Sequence, residues 1–393
     1  MQLPNGVKII INQLERHGHR ADVVGGCVRD CLLGKTPCDY DITTDATPDQ
    51  MIEIFRDFRT IPTGIKHGTL TVMAEGEPYE ITTYRRDGDY CDHRHPDTVA
   101  FTQRIADDLS RRDFTVNAMA YNEKDGITDL FGGRDDLRAH LIRAVGDPER
   151  RFDEDALRIL RAVRFSSTLG FAVEEKTAAA AHKLAHLLSF VSGERIYTEI
   201  KKLMAGSGAY RVLHNHRAVI ESALGITGYT LPDQMRFASS LPDVRFFSIF
   251  AGYDDPVREF TAVCDRLKVD NAMRDAGTAV LANLSRVFEG KADVKLCLRD
   301  IGVDHTLMLS ATRALLGYSG TCIHCHVMSI IDSGEPYTAR QLAIGGRELL
   351  ALGYRGAAVG EMLEFLTLSV INGEVDNDFE SLIEVAKSYT PNN

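Results

Sequence analysis

The chain has 393 residues, 44% of them hydrophobic and 26% charged, with a formal net charge of −11. At roughly 100 to 200 residues per domain, this length predicts two to four domains. No apolar run approaches the roughly 18 residues needed to cross a bilayer, and the opening segment reads as a helix and not as a secretory signal, so the chain is expected to be cytoplasmic with no membrane partner.

Net acidity argues on average against a polyanionic partner, but the basic clusters in "RRDFTVNA", "ERRFDEDALRILRAVRF" and "SGERIYTEIKKL" make local charge the deciding quantity. Eight scattered cysteines are expected to be reduced thiols. The string "CIHCH", Cys322 to His326, lacks the second Cys/His pair of a zinc site and reads as thiols and imidazoles on a helix.

In chain order, the opening helix leads into "VVGGCVRDCLLGKTP", a glycine pair with a basic patch. Short runs follow: "YDITT", "GTLTVMAEG", "PYEITTYR", "TVAFT", "AMAYN" and "GITDL". Their alternation, β-branched residues and Gly, Asp and Pro punctuation mark strands. From Glu149 the pattern turns helical, beginning with "DEDALRILRAVRFSSTLG", where Asp153 can cap and Gly170 can terminate. Breaks are expected at "GSGAY", "YTLPDQ" and "DSGEPYT". Strands first and helices afterwards predict an α+β head followed by all-α material, not an alternating βαβ fold.

Within the head, Asp39 and Asp41 are two residues apart on a strand-like run. Side chains at i and i+2 of a strand share a face, and two carboxylates so placed repel unless a divalent cation such as Mg²⁺ lies between them. The alternative is a solvated strand end near a turn. Gly25 and Gly26 let backbone N–H groups approach a phosphate, and Arg29 can add a charge-assisted hydrogen bond. Glu80, on a neighbouring strand, offers a third acid. Together these residues suit phosphoryl transfer assisted by two metal ions.

The strings "VVGGCVRDCLLGKTPCDYDITTDATP", "RRDFTVNAMAYN", "DLFGGRDDL", "IRAVGDPERRFDEDALRILRAVRFSSTLGF" and "SGERIYTEIKKLM" resemble, in order, the successive motifs of class II tRNA nucleotidyltransferases, whose head is shared with bacterial poly(A) polymerases. The resemblance covers about residues 20 to 205, and "IGGRELLALGYRGAAVGEMLEFLTLSVINGEVDN" looks like the end of bacterial CCA-adding enzymes. It implies a polymerase β-like nucleotidyltransferase head at 1–140, a helical neck for base recognition at 141–205, a helical body at 206–300 and a tRNA-binding tail at 301–393. It also implies addition of C, C and A to a tRNA 3′ end from CTP and ATP, without a template and with Mg²⁺.

On this resemblance Asp39 and Asp41 hold metal, and Glu80 matches an acidic position of the family's sheet. Gly26, Arg29, Arg112, Asp113 and Asn117 contact the nucleotide's phosphates and sugar, although Asp113 and Asn117 are also residues that cap helices. Asp155 and Arg158, i,i+3 neighbours on a helix, would read the base, or else form an ordinary surface ion pair. Arg161 and Arg164 continue a basic arc toward the phosphates. In "DHRHP", Asp92, Arg94 and Pro96 match a flexible-loop pattern in which His93 replaces a glycine. Arg195, Lys201, Lys202 and Arg347 are candidate tRNA contacts, and no protein partner is evident. Addition of A alone, poly(A) synthesis and an inactive RNA-binding module are the alternatives.

Overall fold

The computed structural model describes residues 1–62, 64–88, 99–236 and 241–389. The chain divides into two compact units, Met1–Thr227 and Gly228–Asn393.

In the first unit α1 (Asn5–Arg16) buries Val7, Ile10, Ile11 and Leu14, the i, i+3, i+4, i+7 stripe of an amphipathic helix. The strands before residue 140 are β1 (Ala21–Val24), β2 (Asp41–Thr44), β3 (Thr60–Ile61), β4 (Thr69–Ala74), β5 (Glu77–Thr83), β6 (Arg85–Asp87), β7 (Val99–Phe101), β8 (Met119–Asn122) and β9 (Gly126–Asp129). Seven of them form one sheet in the order β3-β4-β5-β2-β1-β8-β9, and β6 pairs with β7 as a separate ribbon. The β2–β5 pairing is parallel, with Ile42 opposite Ile81, while β1 runs antiparallel to both β2 and β8. β1 is buried along its whole length, as a central strand covered on both faces must be.

Helices of the head are α2 (Gly26–Leu32), α3 (Pro48–Ile54), α4 (Ile105–Ser110) and α5 (Gly133–Arg138). Beyond the sheet come α6 (Pro148–Glu154), α7 (Leu157–Leu169), α8 (Glu175–Lys183), α9 (Gly193–Ala205), α10 (Ala209–Asn215) and α11 (Arg217–Leu224). α7 is the hub of this helical part. It buries ten of its thirteen residues, Arg158 and Arg164 among them. Gly206 and Gly208 follow α9 where a Cβ would collide with the Ser167 backbone, which is the physical content of the break expected at "GSGAY".

Helices are the regular elements of the second unit's described residues, joined by loops. Phe246, Phe247 and Phe250 pack edge-on against Phe260. Ile344, Leu349, Met362, Leu366, Val370, Leu382 and Ala386 make a further core near the C-terminus. Cys322 and Cys325 are joined as a disulfide, which corrects the reading of these two as separate reduced thiols. No helix among the described residues is long and apolar enough to cross a membrane.

Candidate active site

The turn from β1 into α2 is made by Gly25 at φ +83°, ψ −130°, a conformation that side chains disfavour. Its backbone N–H donates to the Met119 carbonyl, and a Cβ here would stand 3.1 Å from Nη1 of Arg112. The glycine pair therefore lets the backbone and an arginine close on the same space. Across β1, Val24 pairs with Asp41, the first residue of β2. Asp39 lies in the lead-in before that strand, so the two carboxylates are not both strand residues as expected. They nevertheless line one cavity of about 550 Å³.

The same cavity is lined by Gly25, Gly26 and Arg29 from the turn and α2, by Arg111, Arg112, Asp113 and Asn117 after α4, and by Asp155, Arg158, Arg161, Arg164 and Phe165 at and along α7. Glu80 sits on β5 one step before Ile81, hence alongside Asp41, but is not part of the lining. Asp92, Arg94 and Pro96 lie outside the described residues. Gly25, Arg111 and Phe165 are the lining residues to which the sequence reading assigned no site role or only a backbone one.

Burial pushes the Asp41 carboxyl above its usual range, and the neighbouring charges of Asp39 and Glu80 add to this, while Arg112 pulls the other way. A divalent cation would relieve that repulsion. Among the described residues no three His, Cys, Asp or Glu side chains form a complete ligand set. Two carboxylates fit Mg²⁺ all the same, because that ion commonly takes one or two protein carboxylates and completes its shell with water and phosphate oxygens.

Around the cavity wall the arginines are held by acids. Nη1 of Arg29 donates to Oδ1 of Asn117 at 2.7 Å, and Nδ2 of Asn117 donates to Oδ1 of Asp113 at 3.2 Å. Arg161 grips Oδ2 of Asp113 through Nε at 2.9 Å and through Nη2 at 2.5 Å. Burial alone would raise the Asp113 carboxyl, but Arg161, Asn117 and Arg158 outweigh it and bring it down to about 2. Asn117 thus bridges an arginine and an acid, while Asp113 also accepts from the Phe114 N–H. Farther along α7, Nε of Arg164 donates to Glu199 of α9 at 2.8 Å, both side chains being buried. Phe165 lies beneath three guanidinium groups, with Cζ of Arg164 3.5 Å from its ring centroid, Arg161 at 5.2 Å and Arg29 at 5.3 Å.

Asp155 and Arg158 depart from the expected geometry. Asp155 is not inside a helix but at the break between α6 and α7, at φ −140°, ψ 103°. Its Oδ1 accepts from the Leu157 N–H at 3.2 Å, and Nη2 of Arg195 reaches both carboxylate oxygens at 3.4 Å. Arg158 pairs instead with Glu154 at 3.0 Å and donates to the Arg111 carbonyl at 2.9 Å. The two side chains meet at the cavity and not with one another.

Residues 21–143 match the family model described as the poly A polymerase head domain, and residues 170–215 match one described as a probable RNA and SrmB-binding site of polymerase A. The CCA-adding enzyme of Geobacillus thermodenitrificans is 38% identical over 384 residues, spanning 95% of this chain and 94% of that one. The CCA-adding enzyme of Lactobacillus delbrueckii subsp. bulgaricus is 37% identical over 385 residues, 95% of each chain. Among solved structures, the Bacillus stearothermophilus CCA-adding enzyme in complex with CTP is 33% identical with a TM-score of 0.80, covering 98% of this chain and 97% of that one. The Thermotoga maritima CCA-adding enzyme complexed with tRNA shares the fold at 24% identity and a TM-score of 0.71, over 97% and 94% of the two chains. Nucleotidyltransferases of this group generally use divalent metal ions. Identity of this order, sustained over nearly the whole of both chains on a shared nucleotidyltransferase head, makes this chain a member of the CCA-adding enzyme family.

Proposed function

We propose that the chain adds C, C and A to tRNA 3′ ends from CTP and ATP, by attack of the RNA 3′-hydroxyl on the nucleotide α-phosphate with release of pyrophosphate. The observation that carries this reading is the convergence of the acidic pair, the arginine ring and the Asp155–Arg158 segment on one cavity. The chain's likeness to the CTP-bound Bacillus stearothermophilus enzyme supports it. A cytoplasmic location, where tRNA is matured, goes with the proposal, as does a functional partition into head (1–140), neck (141–205), body (206–300) and tail (301–393).

Asp39 and Asp41 are assigned to hold Mg²⁺, which when bound lowers the pKa of the attacking hydroxyl and neutralises the triphosphate. The turn at Gly25 and Gly26 brings backbone close to the phosphates, and Arg29, Arg112, Arg161 and Arg164 supply fixed positive charge around them. Asp113, held ionised by Arg161, is an acceptor suited to a ribose hydroxyl. Cytosine and adenine both offer an exocyclic amine beside a ring-nitrogen acceptor, whereas uracil and guanine offer a carbonyl there. A carboxylate at Asp155 and a guanidinium at Arg158 therefore accept C and A and leave unpaired groups against U and G.

The test uses purified protein, Mg²⁺, labelled CTP or ATP and tRNAs ending before the first C, after CC, or complete. C addition to the first and A addition to the second are expected. No incorporation on any of them overturns the enzyme reading; A addition without C addition replaces it with an A-only enzyme.

A further inference from the structure

Asp108 lies outside the cavity lining and has no part in the scheme above. It is fully buried on α4, between the sheet and the segment that carries Arg111 and Arg112. Its Oδ1 accepts from Nε of Arg111 at 2.9 Å and from Nη2 of Arg111 at 2.7 Å, and its Oδ2 accepts from Nη2 of Arg112 at 3.3 Å. The Thr43 hydroxyl, two residues along β2 from Asp41, reaches Oδ2 at 3.5 Å. A buried carboxylate is expensive unless its charge is matched, and here one acid faces two guanidinium groups. Despite a burial that would raise it, Asp108 is held below the usual carboxylate range by Arg111 and then Arg112.

The geometry leaves Nη1 of Arg112 on the far side, over the Gly25 turn, while Nε, on the gripped edge beside Nη2, is buried and has no hydrogen-bond partner among the described residues. A guanidinium has five N–H donors in a rigid plane, so gripping one edge orients the other. We infer that Asp108 is a positioning residue: it clamps the inner edges of Arg111 and Arg112 so that their outer edges face the nucleotide triphosphate, and it keeps Arg112 from turning onto Asp41. This rests on the proposal that the cavity takes CTP and ATP. Arg158 holds the same segment from the neck side through the Arg111 carbonyl, so the clamp also ties phosphate binding to the base-reading helix.

The test compares wild type with Asp108→Asn, which keeps the shape and removes the charge. Equilibrium binding of CTP is measured without tRNA, and KM for CTP, ATP and tRNA is measured in the incorporation assay. D108N is expected to weaken CTP binding and raise KM for both nucleotides at least tenfold, with KM for tRNA within twofold of wild type. A double-mutant cycle separates positioning from general structural damage. With Arg111 and Arg112 both already replaced by Ala, D108N should weaken CTP binding by less than threefold. Unchanged CTP binding in D108N, or an equal loss in both backgrounds, overturns the inference. If D108N does not fold by thermal melting, Asp108→Glu, which keeps the charge but displaces its oxygens, carries the same comparison and the same criteria. A wild-type protein that neither binds CTP nor incorporates it removes the functional reading itself, whereas an active wild type with an indifferent D108N removes only the role of Asp108.

Discussion

Asp41 and Asp113 show how differently one cavity treats two carboxylates. Asp41 is raised by burial and by its acidic neighbours, so its charge costs stability until a cation arrives. Asp41→Asn should therefore cut CMP incorporation at least about a thousandfold while leaving the metal-free melting temperature unchanged or about 2 °C higher, a pairing of kinetics and thermal melting that a merely structural aspartate would not give. Asp113 is the opposite case. Its folded pKa, about 2, lies below the ordinary value, so it contributes stability that is present above about pH 4 and is lost as pH falls toward 2. Asp113→Asn should flatten stability against pH between about 5 and 2 and cost about 3 kcal/mol at pH 7, because Arg161 loses its partner; denaturant melts across that range check both. Most residues that line the cavity are legible in the sequence because their types and order announce them. Their holders are less so: Asp108 and Glu199 act from under the surface. Glu199 did leave a signal, a charge on the buried stripe Ile196, Ile200 and Leu203 of α9.

At the scale of elements, the sequence pattern correctly separates a strand-rich head from helices, because alternation and turn residues are local signals. The break at Asp155 was not legible. "DEDALRILRAVRF" contains no Pro or Gly, and the chain is interrupted by a side chain, Oδ1 of Asp155 accepting the Leu157 N–H. That break frees the carboxylate from the helix surface and lets Arg195 orient it. Asp155→Ala should consequently raise UTP or GTP incorporation relative to CTP by tenfold or more while leaving the Mg²⁺ dependence of the residual activity as in wild type; continued exclusion of U and G in that variant counts against base reading by this residue. The β1–α2 turn makes a separate demand. Gly25→Ala forces a Cβ into a disfavoured conformation and against Arg112, so a loss of about 2 kcal/mol in stability together with a raised KM for CTP is expected.

For the whole molecule, the net charge of −11 describes an average that no nucleotide meets. The cavity wall carries Arg29, Arg111, Arg112, Arg158, Arg161 and Arg164, which come from three separate segments of the chain, and only the fold gathers them. The sequence reading named every arginine of this ring except Arg111, but the ring's closure depends on β1, α4 and α7 meeting, which is a tertiary fact. An acidic protein that binds RNA must do so against its own long-range field, so the attraction has to be short-ranged and backbone-directed. Salt then acts unequally on the two substrates. Phosphates of tRNA held at an exposed surface exchange with counterions, and raising monovalent salt from 50 to 200 mM should increase KM for tRNA on the order of tenfold if about two such contacts are made. On the proposed function the triphosphate is enclosed by partly buried guanidinium groups that are screened far less, so KM for CTP should change by less than about threefold over the same range. Parallel salt titrations with each substrate varied in turn decide the matter: equal slopes for tRNA and CTP would place the arginine ring in open solvent, contrary to its burial beside Phe165, Asp113 and Glu199.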